Sequence, residues 1–222
     1  MTPTVALIHA TPMAMAPARA AFADRFPQAR LWNLLDDLLI SQVQEAGAVT
    51  SPLRARMERL IEHAISGGAD AVLLTCSMYG PVAHDVVGSA GVPVLASDDA
   101  LFAAVTELRP RRVAVLGPNR AGLDDTVARL RSHLGADKAE ITTVVVEGAA
   151  GAASAGDLAE LERLVTAVAR AVERNADVIV LGQFSLSPAA RTAAEAVSVP
   201  VLSPPHLAAD ALHARLDTTE VP

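Results

Sequence analysis

The sequence predicts an α/β protein of two pseudosymmetric parallel-sheet lobes with a ligand cleft between them. Two observations lead there. Short β-branched runs alternate with longer helical patterns, which is the signature of βα units. Part of the chain also repeats itself without a gap: Ala69–Leu95 aligns on Ala176–Leu202 at a constant offset of 107 (183 − 76 = 107). In that alignment Ala69, Asp70, Leu74, Pro81, Ala83, Val92, Pro93, Val94 and Leu95 meet identical residues at Ala176, Asp177, Leu181, Pro188, Ala190, Val199, Pro200, Val201 and Leu202. The strand Val5–Ile8 matches Val113–Leu116 one residue out of step.

Taken in order, strands are expected at Thr4–Ile8, Ala29–Trp32, Ala71–Thr75, Val92–Ala96, Val113–Leu116, Ile141–Val146, Val178–Leu181 and Val199–Leu202. Helices fill the spaces between them. Ser51-Pro52 reads as an N-cap followed by proline at the first helical position, opening a helix through Ser66. Asp157 and Glu160 resemble a capping box at the start of a long helix to Asn175. The stretch Gly148–Gly156 holds only Gly, Ala and Ser and reads as a mobile loop. Leu34–Val49 is ambiguous, with a short helix in part of it. The first lobe is expected over residues 1–97, completed by a C-terminal helix over 206–222, and the second over 98–205.

Composition narrows the function. The 222 residues are 51% hydrophobic and 19% charged, enough to bury a sizeable core. A net charge of −7, no Lys/Arg run and only 3% aromatics argue against nucleic-acid binding. No run approaches the roughly 20 apolar residues of a membrane helix, and no targeting segment is visible. One cysteine rules out an intramolecular disulfide and a cysteine-rich zinc site, so a reducing cytoplasm is the expected location. No His/Asp/Glu pair falls at zinc-like spacing beside it, and Gly117–Gly122 lacks a dinucleotide or Walker pattern. An Ala-rich helix face is compatible with a homodimer or higher homo-oligomer.

Ligands of open α/β sheets bind beyond the carboxyl ends of the strands. There the first half offers Thr75-Cys76-Ser77-Met78-Tyr79-Gly80-Pro81 and the second Gly182-Gln183-Phe184-Ser185-Leu186-Ser187-Pro188. Cys76 and Gln183 are equivalent positions. Each precedes a hydroxyl-bearing turn and a proline able to open a helix, an arrangement that suits a carboxylate and favours thiolate over thiol. Cys76 is then either a buried small hydrophobe or a group that moves a proton at carbon. Gln183, a polar side chain after an apolar run, is expected to line the cleft.

His9 closes the first strand, where it either contacts substrate or caps the strand. Thr11 and Asn119 follow in corresponding loops as carboxylate or amide contacts. Ser77, Tyr79 and Ser185 offer donors or cap helices. His206 follows Ser203-Pro204-Pro205 at the last strand end, as a substrate contact or a solvated helix-start residue. His63, His84, His133 and His213 are expected at the surface, as are Arg30, Arg54, Arg56 and Arg59.

The run Ala69-Asp70-Ala-Val-Leu-Leu-Thr75-Cys76-Ser77 with Val92-Pro93-Val94-Leu95 resembles the first cysteine motif of the aspartate/glutamate/hydantoin racemase superfamily. Ala176-Asp177-Val-Ile-Val-Leu-Gly182 with Val199-Pro200-Val201-Leu202 resembles its second motif. The resemblance implies a two-lobed fold, no metal or organic cofactor, and a small-carboxylate substrate. It also implies racemisation, arylmalonate-type decarboxylation or maleate-type isomerisation. Racemases of this kind carry a cysteine in each motif. Here the second is Gln183, which has no proton to exchange near neutral pH, so a two-thiol mechanism is excluded. Three chemistries remain. A racemase would use Cys76 with another group opposite, the candidates being His9, His206 and Asp36. A decarboxylase would protonate one face from Cys76, and an isomerase would add Cys76 to an alkene. The decarboxylase branch keeps its one cysteine in the second motif, the inverse of the arrangement here. In each case Thr75, Ser77, Met78, Phe184 and Ser185 would surround the substrate, and Gln183 would orient it or stabilise developing enolate charge. The rival class is a non-catalytic protein that binds a small carboxylate in the same cleft.

Overall fold

The computed structural model describes residues 2–135 and 139–217. In chain order it contains β1 (Thr4–His9), α1 (Met15–Arg25), β2 (Arg30–Leu35), α2 (Leu38–Ala46), α3 (Ser51–Ser66), β3 (Ala71–Leu74), α4 (Gly80–Val86), β4 (Val94–Leu95) and α5 (Asp99–Leu108). There follow β5 (Arg112–Gly117), α6 (Arg120–Leu134), β6 (Glu140–Val145), α7 (Ala149–Ala155), α8 (Leu158–Val172), β7 (Val178–Leu181), α9 (Ala190–Ala196), β8 (Val201–Leu202) and α10 (Pro204–Asp217). All eight expected strands are present, the differences being confined to their ends.

Two compact units result. Among the described residues, the first comprises 2–99 and 208–217, and the second lies within 100–207. Residues 218–222 of the expected C-terminal helix lie outside the described residues.

Each unit holds one four-stranded parallel sheet, ordered β2-β1-β3-β4 in the first and β6-β5-β7-β8 in the second. The central strands read as continuous apolar runs because helices cover both faces. In the second unit Ala114, Leu116, Ile179 and Leu181 point into a core with α8 and α9. Val113, Val115, Val178 and Val180 point the other way, onto Leu101, Phe102, Leu123, Val127 and Leu130 of α5 and α6. The first unit buries Ala6, Ile8, Val72 and Leu74 against Leu39, Met57, Ile61 and Val82 from α2, α3 and α4. Its opposite sheet face is closed as well, with Val5, Leu7 and Leu73 at 0% exposure. Each such Leu, Ile or Val contributes roughly 1.5–3 kcal/mol by leaving water.

The duplication extends to the hydrogen bonds. Asp70 Oδ2 accepts from the Thr4 amide at 2.7 Å, and Asp177 Oδ2 accepts from the Arg111 and Arg112 amides at 2.9 Å. The aspartate shared by the two halves therefore holds the start of the neighbouring strand. The Arg112 guanidinium, bonded to Asp177 Oδ1 at 2.9 Å, keeps that carboxyl below the usual carboxylate range, helped by the Arg111 and Arg112 amides. The carbonyls of Pro93 and Pro200 accept from Val72 and Ile179, so the repeated Val-Pro-Val-Leu starts the edge strand in both units.

Three local expectations change. Gly148–Gly156 is not a loop: Ala149–Ala155 forms α7, with Ala149 and Ala152 buried. Alanine is the best helix former and asks for little space, so this composition suits a short packed helix as well as a linker. Second, the N-cap of α3 is Thr50 rather than Ser51, and Pro52 falls in the first turn. Asp157 does cap α8 by accepting from Glu160 N, yet Glu160 completes no box because its carboxylate pairs with Arg163. Third, Arg56 is not merely a solvated face residue, since it pairs with Asp36 just beyond β2.

Candidate active site

In the first unit the carboxyl ends of β1 and β3 lie side by side, with Ile8 paired to Leu74. The next residue of each strand is polar, and the two side chains meet. His9 Nδ1 lies 2.9 Å from Thr75 Oγ1, and His9 Nε2 lies 3.0 Å from Asn33 Oδ1 of β2. The Thr75 hydroxyl is also 3.2 Å from the Ile8 carbonyl. His9 is fully buried, and burial lowers its pKa from the ordinary 6.5, against the opposing effect of the Asn33 hydrogen bond. A neutral imidazole has one N–H for these two neighbours. With Nε2–H donating to Asn33 Oδ1, Nδ1 accepts from the Thr75 hydroxyl. With Nδ1–H donating to Thr75, that hydroxyl turns to Ile8 and the Asn33 carboxamide must present its amine. His9 thus links the end of β1 to β2 and to Thr75 just beyond β3, next to the cysteine-bearing segment.

Cys76 follows Thr75 directly, is 9% exposed, and has extended backbone at φ −108° and ψ 118°. A 3-10 turn over Ser77–Tyr79 starts there, closed by Tyr79 N donating to the Cys76 carbonyl, and α4 begins only after it. Pro81 lies in the first turn of α4, so the helix opens at the proline as expected. Ser77 and Met78 are half-buried, while Thr11 caps its own turn by accepting from Met13 N at 3.4 Å. Tyr79 is fully buried and its hydroxyl donates to the Leu39 carbonyl at 3.2 Å. Burial, then the electrostatic influence of Cys76 and Asp36, push its pKa up to about 12, against the Arg56 guanidinium. Tyr79 is thereby a structural residue. Asp36 is bonded to Arg56 Nη2 at 2.8 Å, and His84 is an exposed partner of Asp99 at 2.7 Å.

The second unit repeats the turn but not the proline-opened helix: Pro188 lies inside the 3-10 segment, and α9 begins only at Ala190. Gln183 starts a 3-10 segment over Phe184–Ala189, with Leu186 N donating to its carbonyl, and α9 follows. Phe184 is buried, and Gln183 and Ser185 are half-buried. Asn119 is exposed and caps α6, its Oδ1 accepting from Gly122 N at 2.9 Å. The Gln183 carboxamide lies against that same Gly122. Thr126 of α6 donates to the Gly182 carbonyl at 3.2 Å, fixing the end of β7. His206 Nδ1 lies 2.9 Å from Ser203 Oγ at the end of β8. Cys76, His9, Thr75, Ser77 and Met78 are thus gathered within one unit, and Gln183, Phe184, Ser185 and Asn119 within the other.

Reading the sequence alone missed Asn33, Gly122 and the pair Ser97–Asp98. Asn33 was visible as a polar interruption between Trp32 and Leu34. Ser97 and Asp98 are buried just beyond β4, with the serine hydroxyl donating to Asp98 Oδ1 at 2.7 Å. They lie past the point where the repeat ends, so the alignment of the halves drew no attention to them. Among the described residues no group of three or more His, Cys, Asp or Glu side chains is placed to hold a metal ion. No helix among them is long and apolar enough to cross a membrane.

Comparison with known proteins bears on this geometry. The family model "Asp/Glu/Hydantoin racemase" matches residues 11–212. No curated protein matches the sequence. An aspartate racemase homologue from Pyrococcus horikoshii OT3 has a similar structure, with a TM-score of 0.71, 16% identity, and 96% of this chain and 98% of that one covered. Glutamate racemase from Francisella tularensis subsp. tularensis SCHU S4, in complex with D-glutamate, has a TM-score of 0.64 at 13% identity over 99% and 82% of the two chains. A liganded double mutant of arylmalonate decarboxylase, with one glycine changed to cysteine and one cysteine to serine, has a TM-score of 0.62 at 22% identity over 96% and 92%. A match across most of the chain, on a fold of two like-ordered parallel sheets, establishes that this protein belongs to the Asp/Glu/hydantoin racemase family of enzymes.

Proposed function

We propose that the protein is a cofactor-independent racemase or isomerase of a small carboxylate or related carbon acid, amino acid or hydantoin in type, with Cys76 as acid/base. The observation that carries this is the position of Cys76: a nearly buried thiol at the carboxyl end of a central strand, directly after a threonine bonded to buried His9. A thiolate there takes the proton from the α-carbon and the electron pair of the broken C–H bond moves into the carboxyl group as an enolate. Reprotonation restores the acid. Ser77, Ser185 and the backbone amides around Met78 would hold the carboxylate, and the Gln183 carboxamide would donate to the developing enolate oxygen. Because Gln183 cannot titrate, the proton on the opposite face comes from His206, half-buried at the end of β8, or from His9, which would first have to release Thr75 or Asn33. Asp36 is the weaker candidate, since Arg56 already engages it. The reading also places the protein in a reducing cytoplasm, as a homodimer or larger homo-oligomer.

One observation favours a second reading. With a single exchangeable group at the two equivalent positions, the chemistry is naturally one-sided. In a decarboxylase the C–C bond to the leaving carboxylate breaks, carbon dioxide departs, and the enolate left behind takes a proton from Cys76 on one face. The similarity to arylmalonate decarboxylase supports including this branch.

Proton NMR in deuterium oxide with chiral chromatography of the products separates the readings, using amino acids (D-glutamate among them), hydantoins and substituted malonates, with wild type beside Cys76→Ser. Deuterium at the α-carbon with both enantiomers appearing, abolished in the variant, is the racemase result. Loss of carbon dioxide giving one deuterated enantiomer is the decarboxylase result. Turnover that survives Cys76→Ser would end the thiolate reading. Binding without turnover, unchanged in the variant, would leave a carboxylate-binding protein.

A further inference from the structure

The first turn of α6 contains a glycine that the helix itself does not need. Gly122 has no positive φ, so its backbone is open to any residue. Glycine within a helix is less stable than alanine there. Its N–H is satisfied by the Asn119 cap, as any residue's would be. What sets the position apart is space. A Cβ on Gly122 would lie 1.6 Å from Gln183 Nε2, 2.7 Å from Cδ and 3.3 Å from Oε1, and these are its three nearest neighbours. The absent methyl group is the space in which the Gln183 carboxamide rests.

The first unit shows the complementary pairing. Thr11 and Asn119 cap corresponding segments at an offset of 108 (119 − 11 = 108), and the same offset sets Gly122 against Ala14. Cys76 is the counterpart of Gln183. The unit with the short side chain after its third strand therefore carries alanine, and the unit with the long one carries glycine.

We propose that Gly122 is a positioning residue for the reaction: it receives the Gln183 carboxamide at the start of α6 and sets the direction of its N–H donors toward the substrate. The inference rests on the reading that Gln183 faces the substrate. Alanine at 122 displaces the far end of a flexible side chain rather than backbone, so the helix persists while the amide is turned away.

The test compares wild type, Gly122→Ala, Gln183→Ala and the double variant. The side-chain NH2 pair of Gln183 is followed in 1H–15N spectra and assigned by its loss in Gln183→Ala. In Gly122→Ala this pair is expected to move while Tm holds or rises. Turnover of the panel substrate that shows Cys76-dependent exchange is expected to fall by about 100-fold, the cost of one misplaced donor. In the Gln183→Ala background the glycine change should do nothing more, because the clashing atoms are gone. An unmoved NH2 pair overturns the proposal. So does an equal loss of turnover in the Gln183→Ala background, or full turnover with the pair displaced. Failure of the underlying reading looks different: turnover then survives Cys76→Ser or Gln183→Ala, while the spectra and Tm still decide whether Gly122 seats the amide.

Discussion

At the scale of single residues, buried His9 and Tyr79 show how environment fixes the ionisation of a side chain. His9 is favoured in its neutral form, its pKa lowered below the ordinary 6.5 chiefly by burial. The unfolded chain therefore takes up a proton at higher pH than the native protein does. The stability this contributes is fully present above about pH 6.5 and is lost as pH falls through the lower native value. Tm should thus drop between pH 7.5 and 5, and His9→Gln should flatten that drop while starting from a lower Tm. An unchanged acid slope in the variant would refute the assignment. Tyr79 makes the opposite case. Its hydroxyl is committed to the Leu39 carbonyl, so Tyr79→Phe should cost about 1 kcal/mol in a denaturant titration and leave turnover intact. The sequence made Cys76, Gln183 and His9 legible because a chemically distinctive residue follows an apolar strand in each case. It could not show Asn33 as the partner of His9, since that contact joins residues 24 apart through strand register. Nor could it show Gly122, whose meaning depends on a side chain arriving from another element.

At the scale of elements, strands were easier to read than the segments joining them. A strand covered on both faces must be apolar at every position, so β3 and β7 announce themselves in four consecutive residues each. The repeat then doubles the signal, since two weak patterns with the same spacing are harder to produce by composition alone. Short alanine-rich helices carry no such mark, because a small apolar residue suits a loop, a helix or a close contact equally. The structure decides α7 through its ends. Gly148 and Gly156 both have left-handed backbone, at φ 82° and 70°, and the Gly156 N–H donates to the Ala152 and Ala153 carbonyls. A side chain at 156 meets open space, so only the backbone conformation resists it. Gly156→Ala should therefore destabilise by about 1 kcal/mol, the cost of a left-handed L-residue. Replacing exposed Gly151 in the middle of the same helix by alanine should stabilise by a similar or smaller amount. Opposite signs in thermal melts would establish α7 as a helix in solution, whereas two null results would return the segment to a loop.

At the scale of the whole molecule, the two units differ in how the chain builds them. The second is continuous, from Ala100 to Leu207, whereas the first is interrupted and takes its last segment from after residue 207. That late segment is not decoration. Ala208, Ala209 and Leu212 of α10 are fully buried, and the His213 ring stacks on Phe26 of the first unit with centroids 4.2 Å apart. Phe26 is itself only 2% exposed, so removing the helix opens a core aromatic to water. Losing a buried leucine alone typically costs 2–5 kcal/mol, a large part of an ordinary stability of about 5–15 kcal/mol. A chain ending at Leu207 should accordingly fail unevenly. In hydrogen exchange, the amides of β1 and β3 should lose protection, while those of β5 and β7, whose unit is intact, should keep most of theirs. Leu212→Ala in the full chain should show the same bias in milder form. Equal loss in both sheets would mean that the units unfold as one cooperative body, and that the chain's return after residue 207 stabilises the second unit as much as the first.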